Sequence, residues 1–373
     1  MMIPRFLVVT LCMLSLSFCA QEPAVSSEVS YLSFEVPGAL GTYPMSINNS
    51  MAVTGYYYVS PTVTRGFVRE ADGAITTFDV LGGVWTEPES INDAGDIAGF
   101  YEVVAGIPHG FLRYADGRII TSDPPVSGLT PPQALPVSFN DFDEGAGNYP
   151  GEDGHSSGFT RSRTGGFTTF VYAVGSNYPT VVTGLNASGT VVGYFAQDAG
   201  SSSFIRDPDG FWTQFDVPVD VGNQGILKTN AESINADGVI AGWYGAVMRP
   251  QSLPIAATGG FVRLPQGIVT LFNPPGTIVT SPESGFTEDG GSLSAPHRLS
   301  INQEGTITGS YVDAEGAQHG FVRNPYGTIT SFDPPRGKQT TAASINDSGV
   351  VAGSYFYDWN AQVAQGFLRL PQP

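Results

Sequence analysis

The sequence predicts an all-β fold: a seven-bladed β-propeller of four-stranded blades, with an N-terminal strand closing the last blade. Three observations predict it. A unit of about 45 residues recurs seven times, as propeller blades do. Two internal offsets, of seven and of eleven residues, hold in every copy that has both landmarks. The composition is turn-rich, aromatic-rich and charge-poor, with 47 Gly, 28 Pro, 12% aromatic and 13% charged residues.

The clearest unit runs from Ser300 to Pro335. Its Asn recurs as Asn48, Asn92, Asn140, Asn186, Asn235, Asn302 and Asn346. Ser-Ile-Asn is read as the beginning of the first strand, and an Asn-x-x-Gly turn folds it onto the second. Seven residues after each Asn stands a Gly, from Gly55 to Gly353, and two further an aromatic, from Tyr57 to Tyr355. The third strand is Gly-Phe-x-Arg, as in Phe111 and Arg113 or Phe321 and Arg323. Eleven residues after that Phe a second Phe closes the unit, at Phe78, Phe170, Phe215, Phe272 and Phe332, with Ser122 in the second copy. The expected partner of the recurrent Arg is the Asp after the closing Phe: Asp79, Asp123, Asp216 or Asp333. Copy seven lacks a fourth strand, and Tyr31 to Pro37 matches it, so the N-terminus is expected to close the ring and remove the exposed sheet edges.

On these residues the repeat resembles the bacterial extracellular repeats of the HAF family, whose triplet here reads His-Gly-Phe at His109–Phe111 and His319–Phe321. The resemblance covers residues 31–373 and implies an exported bacterial protein. It supplies no reaction, ligand or catalytic residue.

Residues 1–20 read as a signal peptide, with Arg5 before an apolar run from Phe6 to Phe18, followed by a linker over 21–30 and one propeller over 31–373. Leu16-Ser17-Phe18-Cys19 reads two ways, as a lipobox with Cys19 lipidated or as ordinary cleavage nearby. Both cysteines lie in this segment, so the mature domain has no disulfide to rely on. The expected location is periplasmic, cell-surface or secreted. The 16 basic and 34 acidic residues leave a net charge of −18, and only two lysines exist. A nucleic-acid footprint is therefore excluded, and an anionic membrane surface is disfavoured. No second apolar segment of spanning length follows, and a monomer is expected.

Chemistry-bearing strings are scarce. No nucleophile elbow, phosphate loop or zinc spacing occurs. Asp141 and Asp143 approach the start of a calcium loop, but Gly145 arrives one place early and no terminal Glu follows in register. No cofactor, metal or catalytic residue is assigned. Loop length carries the remaining information. The connections from strand two to three and from strand four to the next unit vary, and both emerge on one face. The two largest, 245–259 and 273–301, adjoin each other around units five and six. They supply the expected binding residues: Met248, Arg249, Glu283, Phe286, Glu288, Asp289, His297 and Arg298. The expected function is non-enzymatic recognition of a glycan, peptide or protein through this face. The alternative is a hydrolase or lyase acting on an extracellular polymer, with Glu89, Glu232 and His297 at the channel mouth.

Overall fold

The computed structural model describes residues 29–104, 106–125, 133–151, 154–172, 178–197, 200–220, 226–247, 256–277, 298–356 and 363–371. Among the described residues every regular element is a strand, and no helix is long and apolar enough to cross a membrane. The N-terminal leader and Cys19 lie outside the described residues.

Each repeat unit builds four antiparallel strands that pair in sequence order. In unit two these are Trp85–Ile91, Ile97–Glu102, Pro108–Arg113 and Ile119–Thr121. In unit five they are Ile226–Ile234, Ile240–Val247, Ala256–Arg263 and Val269–Phe272. A single parallel bridge between Ser201 and Lys228 joins the sheets of units four and five into a run of eight strands. In unit seven the fourth strand is Tyr31–Phe34, antiparallel to Ala364–Arg369 with Ser33 opposite Phe367.

The first strands differ from the sequence reading. Each first strand stops just before the recurrent Asn, so Ser-Ile, where present, ends the strand or in unit six makes up all of it: the unit-two strand starts at Trp85 and stops at Ile91, just before Asn92. A period-2 reading misses the reason, which is a register shift inside the strand. Pro88 pairs with Gly99 and Ser90 with Ala98, so Glu89 bulges out unpaired. The same shift skips Met45, Val137, Thr183, Glu232 and Ala343. A bulge kinks the strand and re-aims a side chain.

The recurrent Gly seven residues after the Asn follows from that bulge. A Cβ on Gly99 would lie 2.3 Å from the Glu87 carbonyl oxygen, and one on Gly193 would lie 2.0 Å from that of Val181. No side chain fits there.

The recurrent Asn ties the units to one another. Each Asn Oδ1 accepts the backbone N–H four residues on, as from Asp96 to Asn92 at 2.8 Å. Each Nδ2 donates to the carbonyl of the next unit's Asn: Asn48 to Asn92 at 3.0 Å, and onward through Asn140, Asn186, Asn235 and Asn302 to Asn346. Asn346 donates in turn to Asn48 at 3.1 Å. These amides are buried, so each would be costly to leave unpaired.

The Phe of Gly-Phe-x-Arg fills the space between sheets, fully or almost fully buried at Phe67, Phe111, Phe159, Phe204, Phe261, Phe321 and Phe367. Burial of one such ring is worth about 1.5–3 kcal/mol. Apolar side chains of neighbouring units join in single clusters; Val68 of unit one packs with Ile97 and Phe111 of unit two. The expected Arg–Asp pairing does not form. The third and fourth strands place Arg69 opposite Ile75 and Gly66 opposite Phe78, so Asp79 falls beside Arg65, far along the strand from Arg69. Asp79 pairs with Arg65 at 2.6 Å, Asp123 with His109 at 2.9 Å and Asp333 with His319 at 2.6 Å. Asp216 accepts from Ser202. The recurrent Arg lies over the closing Phe of the preceding unit instead: Arg113 over Phe78 at 4.9 Å, Arg206 over Phe170 at 4.6 Å, Arg323 over Phe272 at 5.1 Å.

Two outcomes are expected. Asn186→Ala removes a buried donor and acceptor together and should cost about 2–4 kcal/mol in urea unfolding. In double-mutant cycles, Arg323 and Phe272 should couple by about 0.5–2 kcal/mol, whereas Arg323 and Asp333 should not couple measurably.

Candidate active site

Glu89 and Glu232 occupy the bulge of the first strand in units two and five, where no cross-strand partner holds the residue in register. Arg298, just before the first strand of unit six, reaches Glu89 with Nη1 2.6 Å from Oε2. Glu89 is almost entirely buried (6% of its side chain exposed) and Arg298 less so (31%). The Arg298 charge also acts on Glu232. On the other side of Glu232, the Trp243 indole Nε1 donates to Oε1 at 3.0 Å.

Two tyrosines complete the arrangement, each directly after the invariant Gly of a preceding unit. Tyr56 follows Gly55 and feels the charges of Glu87 and Glu89 in unit two. Tyr194 follows Gly193 and feels Glu232 in unit five. Burial above all, then these carboxylates, raises both phenols, so both remain protonated donors. The pattern repeats: the charge of each bulged glutamate acts on a tyrosine of a preceding unit, and the Arg298 charge acts on both glutamates.

Burial and the Arg298 charge act on both bulge carboxyls in opposite directions. Burial pushes Glu232 up to about 7, against the pull of the Arg298 charge and the Trp243 hydrogen bond. Burial raises Glu89 as well, and the Arg298 guanidinium opposes it. Arg298 is itself held above its ordinary range chiefly by the Glu89 charge. Glu87 is pushed up to about 7 by burial and by repulsion from Glu89 and Glu102. Two buried carboxyls, both raised by burial and both opposed by the same guanidinium, thus flank Arg298.

Of the residues expected from loop length, Arg298 alone is described, and it points at the bulge carboxylates. Met248, Arg249, Glu283, Phe286, Glu288, Asp289 and His297 lie outside the described residues. Tyr56, Glu87, Tyr194 and Trp243 were not anticipated. The signal for Tyr56, Tyr194 and Trp243 was the slot after each invariant Gly, read only as part of a strand; Glu87 lies on the first strand of unit two, two residues before Glu89. Asp141 accepts the Asp93 N–H at 2.7 Å, and Asp143 sits at φ 60° in its turn. Among the described residues no group of three or more His, Cys, Asp or Glu is placed to hold a metal ion.

No protein-family model and no curated protein matches the chain. Solved structures do match. A prolyl endopeptidase, from a study of two such enzymes, superposes with a TM-score of 0.53 at 11% identity, over 85% of this chain and 47% of its own. Puromycin hydrolase superposes with a TM-score of 0.52 at 14% identity, over 87% of this chain and 52% of its own. The chain spans about half the length of these structures. At such identity the likeness shows a propeller-like all-β fold. These two solved structures come from hydrolases, which stands against the expectation of a non-enzymatic binding module; the likeness itself shows the fold alone.

A carboxyl raised in the folded state stabilises the fold relative to its ionised form at low pH, and that advantage is lost as pH rises through the folded value. Thermal stability should therefore fall between about pH 5 and pH 8, and Glu232→Gln should flatten the fall. Arg298→Ala strands Glu89 without a counter-charge and should cost about 3 kcal/mol at pH 8. The loss should be smaller at pH 5, where Glu89 can take a proton instead.

Proposed function

We propose that the protein is an exported hydrolase, built as a seven-bladed propeller closed by its N-terminal strand, that cleaves an extracellular polymer by carboxylate acid–base chemistry. The pairing of Tyr31–Phe34 with Ala364–Arg369 and the Asn346–Asn48 bond support the closed ring. The leader segment and the HAF-like repeat support export. The observation that carries the reaction is the carboxyl pair: Glu232 near 7, and Glu89 in an ion pair with Arg298. Burial raises both carboxyls; the 2.6 Å contact with Arg298 makes Glu89 the candidate base, and the proton that burial favours makes Glu232 the candidate acid.

In this reading the Glu232 carboxyl gives its proton to the leaving-group oxygen of the scissile bond. The Glu89 carboxylate, paired with Arg298, takes a proton from the attacking water, whose oxygen forms the new bond. Trp243 orients Glu232, and the protonated phenols of Tyr56 and Tyr194 donate hydrogen bonds towards the reacting groups. No metal is required for any of these steps.

A panel of extracellular polysaccharides, scored by release of reducing ends, tests the proposal. Activity should fall on the alkaline side of about pH 7 as Glu232 loses its proton. Glu232→Gln and Glu89→Gln should each lower kcat by about 10²- to 10⁴-fold with the fold intact by circular dichroism. Variants that fold and turn over like the parent would remove these residues from the chemistry.

A further inference from the structure

Beside the acid–base pair lies a tyrosine cluster of which the proposed reaction uses only Tyr56. Tyr43 and Tyr56 stack with centroids 5.1 Å apart and an interplanar angle of 11°. Tyr58 stands edge-on to both, at 5.7 and 5.9 Å. Tyr43 lies on the first strand of unit one and the other two on the second strand, with Tyr43 directly opposite Tyr56. Alternation along a strand brings Tyr56 and Tyr58 to the same side. Both feel the charge of Glu87, which comes from the first strand of unit two.

Glu87 is 7% exposed. Its hydrogen-bond partner is the Thr64 hydroxyl, and the charges acting on it are those of Glu89 and Glu102. Arg298 is committed to Glu89 and Glu232, and Arg65 of unit one to Asp79. Among the described residues no cation pairs with Glu87, in a chain whose net charge is −18. A buried carboxylate beside electron-rich ring faces, short of positive charge, matches an ammonium group in two ways. The rings attract it through their quadrupoles and the carboxylate through its charge.

We propose that Tyr43, Tyr56, Tyr58 and Glu87 form a subsite for a protonated amine, and that the substrate is a glycan carrying free amino sugars. The inference rests on the hydrolase reading for its choice of a glycan, since the subsite adjoins a carboxylate pair suited to a glycosidic bond. Tyrosine faces also suit the apolar face of a pyranose ring. An ammonium at Glu87 would relieve the repulsion from Glu89 and Glu102 that an ionised Glu87 otherwise meets. A neutral or acidic sugar would leave that repulsion in place. The tyrosine hydroxyls stay protonated, because burial raises all three phenols.

The test is calorimetric binding to the full chain at about pH 7, where amines still carry protons and Glu87, pushed up to about 7, is ionised in part. Three probes are compared: a glucosamine pentamer, its fully N-acetylated counterpart, and triglycine with a free N-terminus. The glucosamine pentamer should bind about tenfold more tightly than the acetylated one, a difference of about 1.4 kcal/mol. Glu87→Gln, which keeps the shape of the side chain, should abolish that preference, and Glu232→Gln should keep it. Equal binding of both pentamers, or an unchanged preference in a folded Glu87→Gln variant, would overturn the proposal. Triglycine binding as tightly as the glucosamine pentamer would overturn the glycan assignment. Binding needs no turnover, so these results stand apart from the polysaccharide-cleavage assay: preference without cleavage keeps the subsite and removes the hydrolase, and cleavage without preference does the reverse.

Discussion

One backbone contact governs the rest of the structure: the carbonyl of the bulged first strand presses against the glycine of the second. The available gap, 2.0 to 2.4 Å from a would-be Cβ in six units, is below any real carbon contact. In unit six the corresponding obstacle is the Leu299 side chain, at 2.4 Å from Gly309. The glycine permits the bulge, and the bulge frees one residue per unit from the ladder. Around the units those freed residues are Met45, Glu89, Val137, Thr183, Glu232 and Ala343. Two of the six are glutamates, and these two hold the acid–base pair. The fold supplies the position repeatedly; the sequence fills it with chemistry twice.

The architecture was legible because its determinants are local and repeated. Asn, Gly, Phe and Arg at fixed offsets report four strands per unit, and the four strands form, with the Asn just past the end of the first strand instead of at its beginning. What failed was partner assignment. The Arg was paired with the following Asp because opposite charges on neighbouring strands attract. The register separates them and lays the guanidinium over an aromatic ring from another unit, a partner that no spacing within one unit discloses. Ser122 makes the same point in reverse: it replaces the closing Phe of unit two, so Arg161 of unit three has no closing ring to cover.

The site was half legible. Glu89 and Glu232 stood out because they share one slot, and Arg298 because it ends a long insertion. Their convergence was not legible, since units two, five and six are far apart in the sequence and only the tertiary fold brings Arg298 to Glu89 and Glu232. Tyr56 and Tyr194 were hidden for the opposite reason: they sit inside the most regular strand of the unit, where structure is the ordinary explanation of an aromatic. A slot whose occupant changes from Tyr to Phe, Asn, Trp and Ser between units carries no common packing role. That variation inside an otherwise fixed frame was the overlooked signal.

The central claim is that burial raises both bulge carboxyls above the ordinary glutamate range while the Arg298 guanidinium opposes the rise. Carbon-13 NMR titration of the glutamate side-chain carboxyls, assigned with Glu89→Gln and Glu232→Gln, measures those states directly. The account predicts that the Glu232 carboxyl titrates near about 7, and that Arg298→Gln moves both glutamates upward. Titration of both in the ordinary glutamate range of about 4 to 5, unmoved by Arg298→Gln, would contradict it.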